Sequence, residues 1–190
     1  MPFSAAELLS IARNYWRPDR DFDFRPENSP EAERFLELWE KELAKMDQWR
    51  AFLRELGGAL PAFTIGNATA TCDACFRCSV YPATENKPQP RRWVVVGCVS
   101  ILAPVYTVYG VQYEYTGTER TRDKVFLEPL PPEMQAPADI IARSIEATFG
   151  VEKLSRELSE MPVPLIVEPH EPPNTTLFHA LFISRPERVP

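Results

Sequence analysis

Glycine is scarce in this chain, 7 residues against 20 prolines. Phosphate-cradling loops of the Walker and dinucleotide types need clustered glycines for tight turns and close backbone approach. Glycines scattered singly or as one pair cannot build them. Histidine is scarcer still, with only His170 and His179. His179 lies in an apolar pattern and reads as a structural residue, whereas His170 sits in a Pro/Glu connector and reads as solvated. No G-x-S-x-G elbow accompanies either, so nothing local supports a hydrolase triad. Basic residues are outnumbered, 21 Lys and Arg against 27 Asp and Glu, for a net charge of −6. Neutralising phosphates takes a surplus of cations, which argues against nucleic acid and favours solubility or a basic protein partner. The first residues carry no basic leader, and the stretch Ser4–Ala12 is only mildly apolar and interrupted by Glu7. The expected compartment is therefore the cytoplasm, with the four cysteines as reduced thiols.

What the chain does have is a long neutral run. Trp93 to Tyr113 (WVVVGCVSILAPVYTVYGVQY) spans 21 positions without an ionised side chain, about the length of a membrane-spanning helix. Its residue types argue against a helix. Val94, Val95, Val96, Val99, Ile101, Val105, Thr107, Val108 and Val111 are branched at Cβ, which stiffens χ1 and favours strands. Pro104, mid-run, would break a helix but merely marks the connection between two strands. The run therefore predicts two neighbouring strands at the centre of a core, with no membrane span.

Around it, Ser4 and Glu7 have capping-box spacing ahead of a short helix to about Tyr15. Ser29-Pro30-Glu31 announces a long helix closed by Gly57-Gly58. Its core stripe is Phe35, Trp39, Leu43, Met46, Trp49, Leu53 and Leu56, widened by Leu36 and Phe52. A period of two from Ala68 to Val80 predicts a strand, followed by strands at about 92–102, 105–116 and 124–128. A helix over Pro137–Phe149, a helical turn over 151–160 and strands at 164–167 and 175–183 complete the pattern. With 44% hydrophobic residues in 190, the chain predicts a single α+β domain over 1–190. It divides into a helical part (1–58), a strand meander (62–128) and a helix with closing strands (137–190). The sheet is expected to be mostly antiparallel, with about five or six strands packed against the long N-terminal helix and a shorter later one.

Cys72, Cys75 and Cys78 form C-x2-C-x2-C, with Cys98 downstream. Thiolates at such gaps can share a metal only where the backbone turns tightly. In a strand, Cys75 faces away from Cys72 and Cys78, so these are read as small buried hydrophobes, and no metal, cofactor or catalytic residue is assigned. Asp19, Asp21 and Asp23 begin like a calcium loop but lack its glycine and closing glutamate. With Phe22 and Phe24 between them, they suit an acidic-aromatic contact with a basic partner, or a solvated loop. Tyr106, Tyr109, Tyr113 and Tyr115 are open to core packing or interface roles.

In general character the chain resembles the cytoplasmic immunity proteins of bacterial polymorphic-toxin systems. The shared features are small acidic α+β composition and an aromatic-rich helix, here F-L-E-L-W-E…M-D-Q-W-R-A-F-L. The segments W-V-V-V-G-C-V-S-I-L and T-T-L-F-H-A-L-F are similar to a family of uncharacterised bacterial proteins of this length. The resemblance implies stoichiometric neutralisation of a toxin or effector domain by occlusion, with acidic groups speeding encounter if that domain is basic. On that reading Asp19, Asp21, Asp23, Glu114 and Glu119 supply charge, and Tyr113 and Tyr115 supply anchors. Two alternatives stand beside it: an enzyme with a dispersed site using Cys75 or His179 with carboxylates, and a cysteine-based metal-binding module.

Overall fold

A computed structural model describes residues 3–19, 29–83 and 91–189. In chain order the elements are α1 (Ala5–Ala12), α2 (Pro30–Leu43), α3 (Met46–Ala59), β1 (Phe63–Asn67), β2 (Cys75–Pro82), β3 (Arg91–Ser100), β4 (Val105–Thr116) and β5 (Glu119–Phe126), then α4 (Pro132–Phe149), β6 (Glu152–Lys153), α5 (Arg156–Ser159) and α6 (Leu177–Leu181). The class is α+β. Strands β1 to β5 form an antiparallel meander in sequence order. The two-residue β6 adds in parallel beside Val105 and Tyr106, the start of β4 that β5 does not reach.

The neutral run folds as the β3–β4 hairpin, with Ile101–Pro104 as its connection. Among the described residues no helix is long and apolar enough to cross a membrane. Both faces of the sheet are covered, which is why β3 and β4 need apolar residues at odd and even positions alike. Phe76, Cys78, Val80, Val95, Val99, Tyr106 and Val108 pack under α3 and α4. Cys75, Val94, Val96, Cys98, Tyr109, Val111 and Tyr113 share the opposite cluster with Leu8, Leu165, Leu177, Phe178 and Phe182. Helix α4 sits close enough to require glycine beneath it. A Cβ added at Gly97 would lie 2.7 Å from Ile141 Cγ2 and 3.1 Å from Cys78 Sγ, and one at Gly110 would press on the Met134 sulfur. Gly97→Ala is expected to cost about 1–3 kcal/mol from overpacking, measured as a shifted urea midpoint. Gly110→Ala should cost less, because the Met134 thioether can move.

The single long N-terminal helix expected from periodicity is two helices. Lys45, at φ −91° and ψ 3°, separates them, and the Ala44 and Lys45 amides donate to Lys41 and Glu42, three residues back. That tightening redirects the chain between the two helices. Trp39 and Trp49 are buried, but Leu36 and Leu43, expected in the core, are 63% and 45% exposed.

Other boundaries also move. The expected 68–80 strand is extended only from Cys75 on, as β2, which runs past its expected end to Pro82, and β1 precedes it. Residues 68–74 turn back instead, because the Thr69 amide donates to Asn67 Oδ1 and the Asp73 amide to the Ala70 carbonyl. Helix α4 begins at Pro132 and holds Pro137 inside it, its added turn fixed by buried Met134, Pro137 and Ala138. The 151–160 turn resolves into β6 and the one-turn α5. The segment 164–167 makes isolated bridges, Arg17 to Ile166 and Val167 to His170, rather than a strand. The expected strand 175–183 is helix α6, started by a capping box of Thr176 and His179. Leu177, Phe178, Ala180, Leu181, Phe182 and Ile183 are all buried. An element buried at all but one position shows no stripe from which its period can be read.

Candidate functional site

A cleft of about 760 Å³ opens where the end of α1 and the start of α2 face the β1–β2 loop and the C-terminal segment. Three long-range hydrogen bonds hold its walls. Trp16 Nε1 donates to the Ala180 carbonyl at 2.7 Å, tying the segment after α1 to α6. Arg34 Nε donates to the Asn14 carbonyl at 2.7 Å, tying α2 to the turn after α1. Trp39 Nε1 donates to the Asp73 carbonyl at 2.9 Å, tying α2 to the β1–β2 loop. Trp16, Phe35 and Phe182 make the apolar walls, and Asp73, Ala74 and Arg77 line the cleft at the start of β2.

Arg77 is 9% exposed. Its Nε donates to the Ala68 carbonyl at 2.9 Å and its Nη1 to the Arg188 carbonyl at 3.3 Å, while Nη2 lies 3.9 Å from Asp73 Oδ2. One guanidinium thus joins the β1–β2 loop to the C-terminal segment. Burial raises the Asp73 carboxyl above the ordinary carboxylate value, and the Arg77 charge opposes that rise. Burial also raises the Cys72 thiol, helped by the adjacent Asp73 charge.

His179 borders the same cleft. Its Nδ1 accepts from the Thr176 amide at 3.1 Å, and its ring stacks on His170 at 3.9 Å between centroids. Burial, and then the His170 charge, push its pKa down to about 4. A lowered histidine pKa means that the fold favours the neutral ring. Its stabilising effect is complete above the unfolded value near 6.5. It is lost as the pH falls from about 6.5 towards about 4. Stability measured by urea unfolding should fall across that window, and His179→Asn should flatten the fall.

The cysteines do not gather. Cys72 is exposed outside the sheet, Cys75 and Cys98 are buried on one face, and Cys78 is buried on the other. Burial pushes the Cys78 thiol up to about 12 and the Cys98 thiol well above its ordinary value. Such thiols stay protonated and are poor nucleophiles or ligands. Among the described residues no group of three His, Cys, Asp or Glu is placed to hold a metal. Cys75 and His179, the alternative candidates for a dispersed enzyme site, lie in different surroundings: Cys75 beside Cys98 in the core, and His179 stacked on His170 at the border of the cleft.

The residues expected to bind a partner are spread over the molecule. Asp19 is exposed on the rim of the cleft, and Asp21 and Asp23 lie outside the described residues. Tyr113 and Tyr115 point to the same face of β4 and pack edge to face at 5.7 Å. Tyr113 is buried, with the Arg120 guanidinium 4.3 Å above its ring and that arginine donating to the Glu187 and Val189 carbonyls. In this structure it packs inside the molecule. Tyr115, half-buried, lies 5.2 Å beneath Arg92. Glu114 points to the other face and pairs with Arg91 at 3.2 Å, while Glu119 is exposed where β5 begins.

Sequence reasoning missed the outer face of α2. Leu36 and Leu43 are seven residues apart and so lie on one side, about 10.5 Å apart along the axis. Glu33, Glu37 and Glu40 are exposed along the same side. The clue was present in the glutamates at three- and four-residue steps, but the leucines were absorbed into the core stripe. The fold and site define an α+β protein with a two-sided sheet core, a cleft at one side and an acidic, leucine-bearing helix outside it. No protein-family model, no curated protein and no solved structure matches the chain.

Proposed function

We propose that this chain is a binding protein that neutralises a cognate toxin or effector domain by stoichiometric occlusion, acting in the cytoplasm, with the outer face of α2 as its contact surface. The observation that carries the reading is the exposure of Leu36 and Leu43, 63% and 45%, on a helix otherwise well anchored by Trp39 and Arg34. Single exposed leucines are ordinary. Two on one helix side, bordered by Glu33, Glu37 and Glu40, form an apolar seam with an acidic border. That pattern fits a protein partner with an apolar patch and a basic rim: the leucines contribute desolvated contact and the glutamates steer encounter. The net charge of −6 adds a long-range attraction of the same sign. Exposed Asp19 and Glu119 extend the acidic surface, and Asp21 and Asp23 belong to the same proposal.

The test is titration of the purified chain into the toxin domain encoded beside its gene. A 1:1 complex at micromolar concentration, with toxin activity lost at equivalence, supports the reading. Absence of a complex at that concentration overturns it.

A further inference from the structure

The cleft is a second site, separate from the outer face of α2. Its cations and anions are unequally occupied. Asp73 is set against Arg77, Glu31 pairs with Arg34 at 3.6 Å, and Arg17 and Glu168 are each engaged. The side chains of Arg185 and Arg188, which also line the cleft, make no hydrogen bond or ion pair to any described residue. Behind them Arg77 adds a third guanidinium that is itself buried. The walls supplied by Trp16, Phe35 and Phe182 are aromatic, and the volume of about 760 Å³ suits an organic ligand rather than a bare ion.

We propose that this cleft binds a hydrophobic monocarboxylate, its carboxylate held by Arg185 and Arg188 and its apolar body against Trp16, Phe35 and Phe182. Two guanidinium groups suit a carboxylate because their N–H groups form paired, charge-assisted bonds to its two oxygens. The same cleft disfavours a phosphate dianion. Asp73 and Asp19 also line it, and each adds repulsion that a doubly charged ligand feels more strongly. An inorganic anion would in addition leave the aromatic walls uncovered.

Isothermal titration of the full-length chain with decanoate, decanol and inorganic phosphate tests this. Decanoate should bind 1:1 with a Kd on the order of tens of micromolar. Decanol, with the same chain and no charge, should bind about tenfold more weakly, and phosphate should give no saturable heat. In Arg185→Gln/Arg188→Gln, decanoate should fall to the decanol level while decanol is unchanged. Arg188→Gln alone, at an exposed residue, should give part of that loss and keeps the test valid if the double variant folds poorly. Ala32→Trp, on the α2 wall of the cleft, should abolish binding of both. The proposal is overturned if decanoate binds no better than decanol, if the arginine variants bind it as the natural chain does, or if phosphate binds as well. None of these outcomes bears on the outer face of α2, so this site and the proposed toxin contact stand or fall separately.

Discussion

Arg77→Ala is expected to lower stability by about 3 kcal/mol, the range for breaking a buried charged pair. The substitution leaves the Ala68 and Arg188 carbonyls without their donor and Asp73 without its cation. It removes the side-chain link from β2 to the C-terminal segment and leaves the Ala74 amide to Phe182 carbonyl bond beside it. Arg77→Lys should recover only part of the loss, because one ammonium cannot reach along two separate directions as the guanidinium fork does. Adding Asp73→Asn to Arg77→Ala should restore some stability, since the isolated buried carboxylate is then neutral. Urea denaturation of the four proteins checks the order. Equal midpoints for Arg77→Ala and the natural chain would show that the guanidinium holds nothing together.

Charge reversal on α2 is expected to have the largest effect on partner binding. Glu33→Lys/Glu37→Lys/Glu40→Lys should slow association with the proposed toxin partner by about 10- to 1,000-fold at low salt, with the difference shrinking as salt rises. Leu36→Ala/Leu43→Ala should act differently, leaving the on-rate nearly unchanged and raising the off-rate, each leucine contributing about 1 kcal/mol or more. Because these five side chains are exposed, all variants should keep stability within about 0.5 kcal/mol of the natural chain. Stopped-flow association and surface plasmon resonance separate the two effects. A uniform loss in both rates and stability would point to a misfolded helix rather than to a contact.

The sheet was legible because its residues allow little else. Nine β-branched side chains around one proline specify the β3–β4 hairpin, and apolar residues at both parities specify a strand covered on both faces. Caps were equally readable: the Ser4–Glu7 box forms, and Ser29 Oγ accepts from the Ala32 amide at 3.1 Å. The failures share one cause, which is that period alone does not distinguish competing geometries. The break at Ala44–Lys45 preserves helical spacing in sequence, while Leu43, the last residue of α2, stays on the exposed side it shares with Leu36. Residues 177–181 are buried apart from partly exposed His179, so a helix looked like a strand. The alternation of Ala68, Ala70 and Cys72 with threonines described a turn as well as a strand.

The candidate sites were less legible for a related reason. The cleft gathers Trp16, Phe35, Arg77, Phe182, Arg185 and Arg188 from four separated stretches, and no spacing rule joins them. Arg77 in particular reads as an outward residue of β2 until the C-terminal segment is placed over it. The acidic surface was expected from composition, but its apolar companions were assigned to the core. Tyr113 was the reverse case, an expected contact residue that Arg120 and the C-terminal segment cover.

Amide hydrogen exchange of the chain, free and in a 1:1 mixture with the proposed toxin-domain partner, tests the proposed docking surface most directly. Slowed exchange concentrated in residues 30–43, above that of the free helix, is the predicted result. Slowing confined to the β4–β5 hairpin around Glu114, Tyr115 and Glu119, or no slowing anywhere, would contradict a partner docked on the leucine seam of α2.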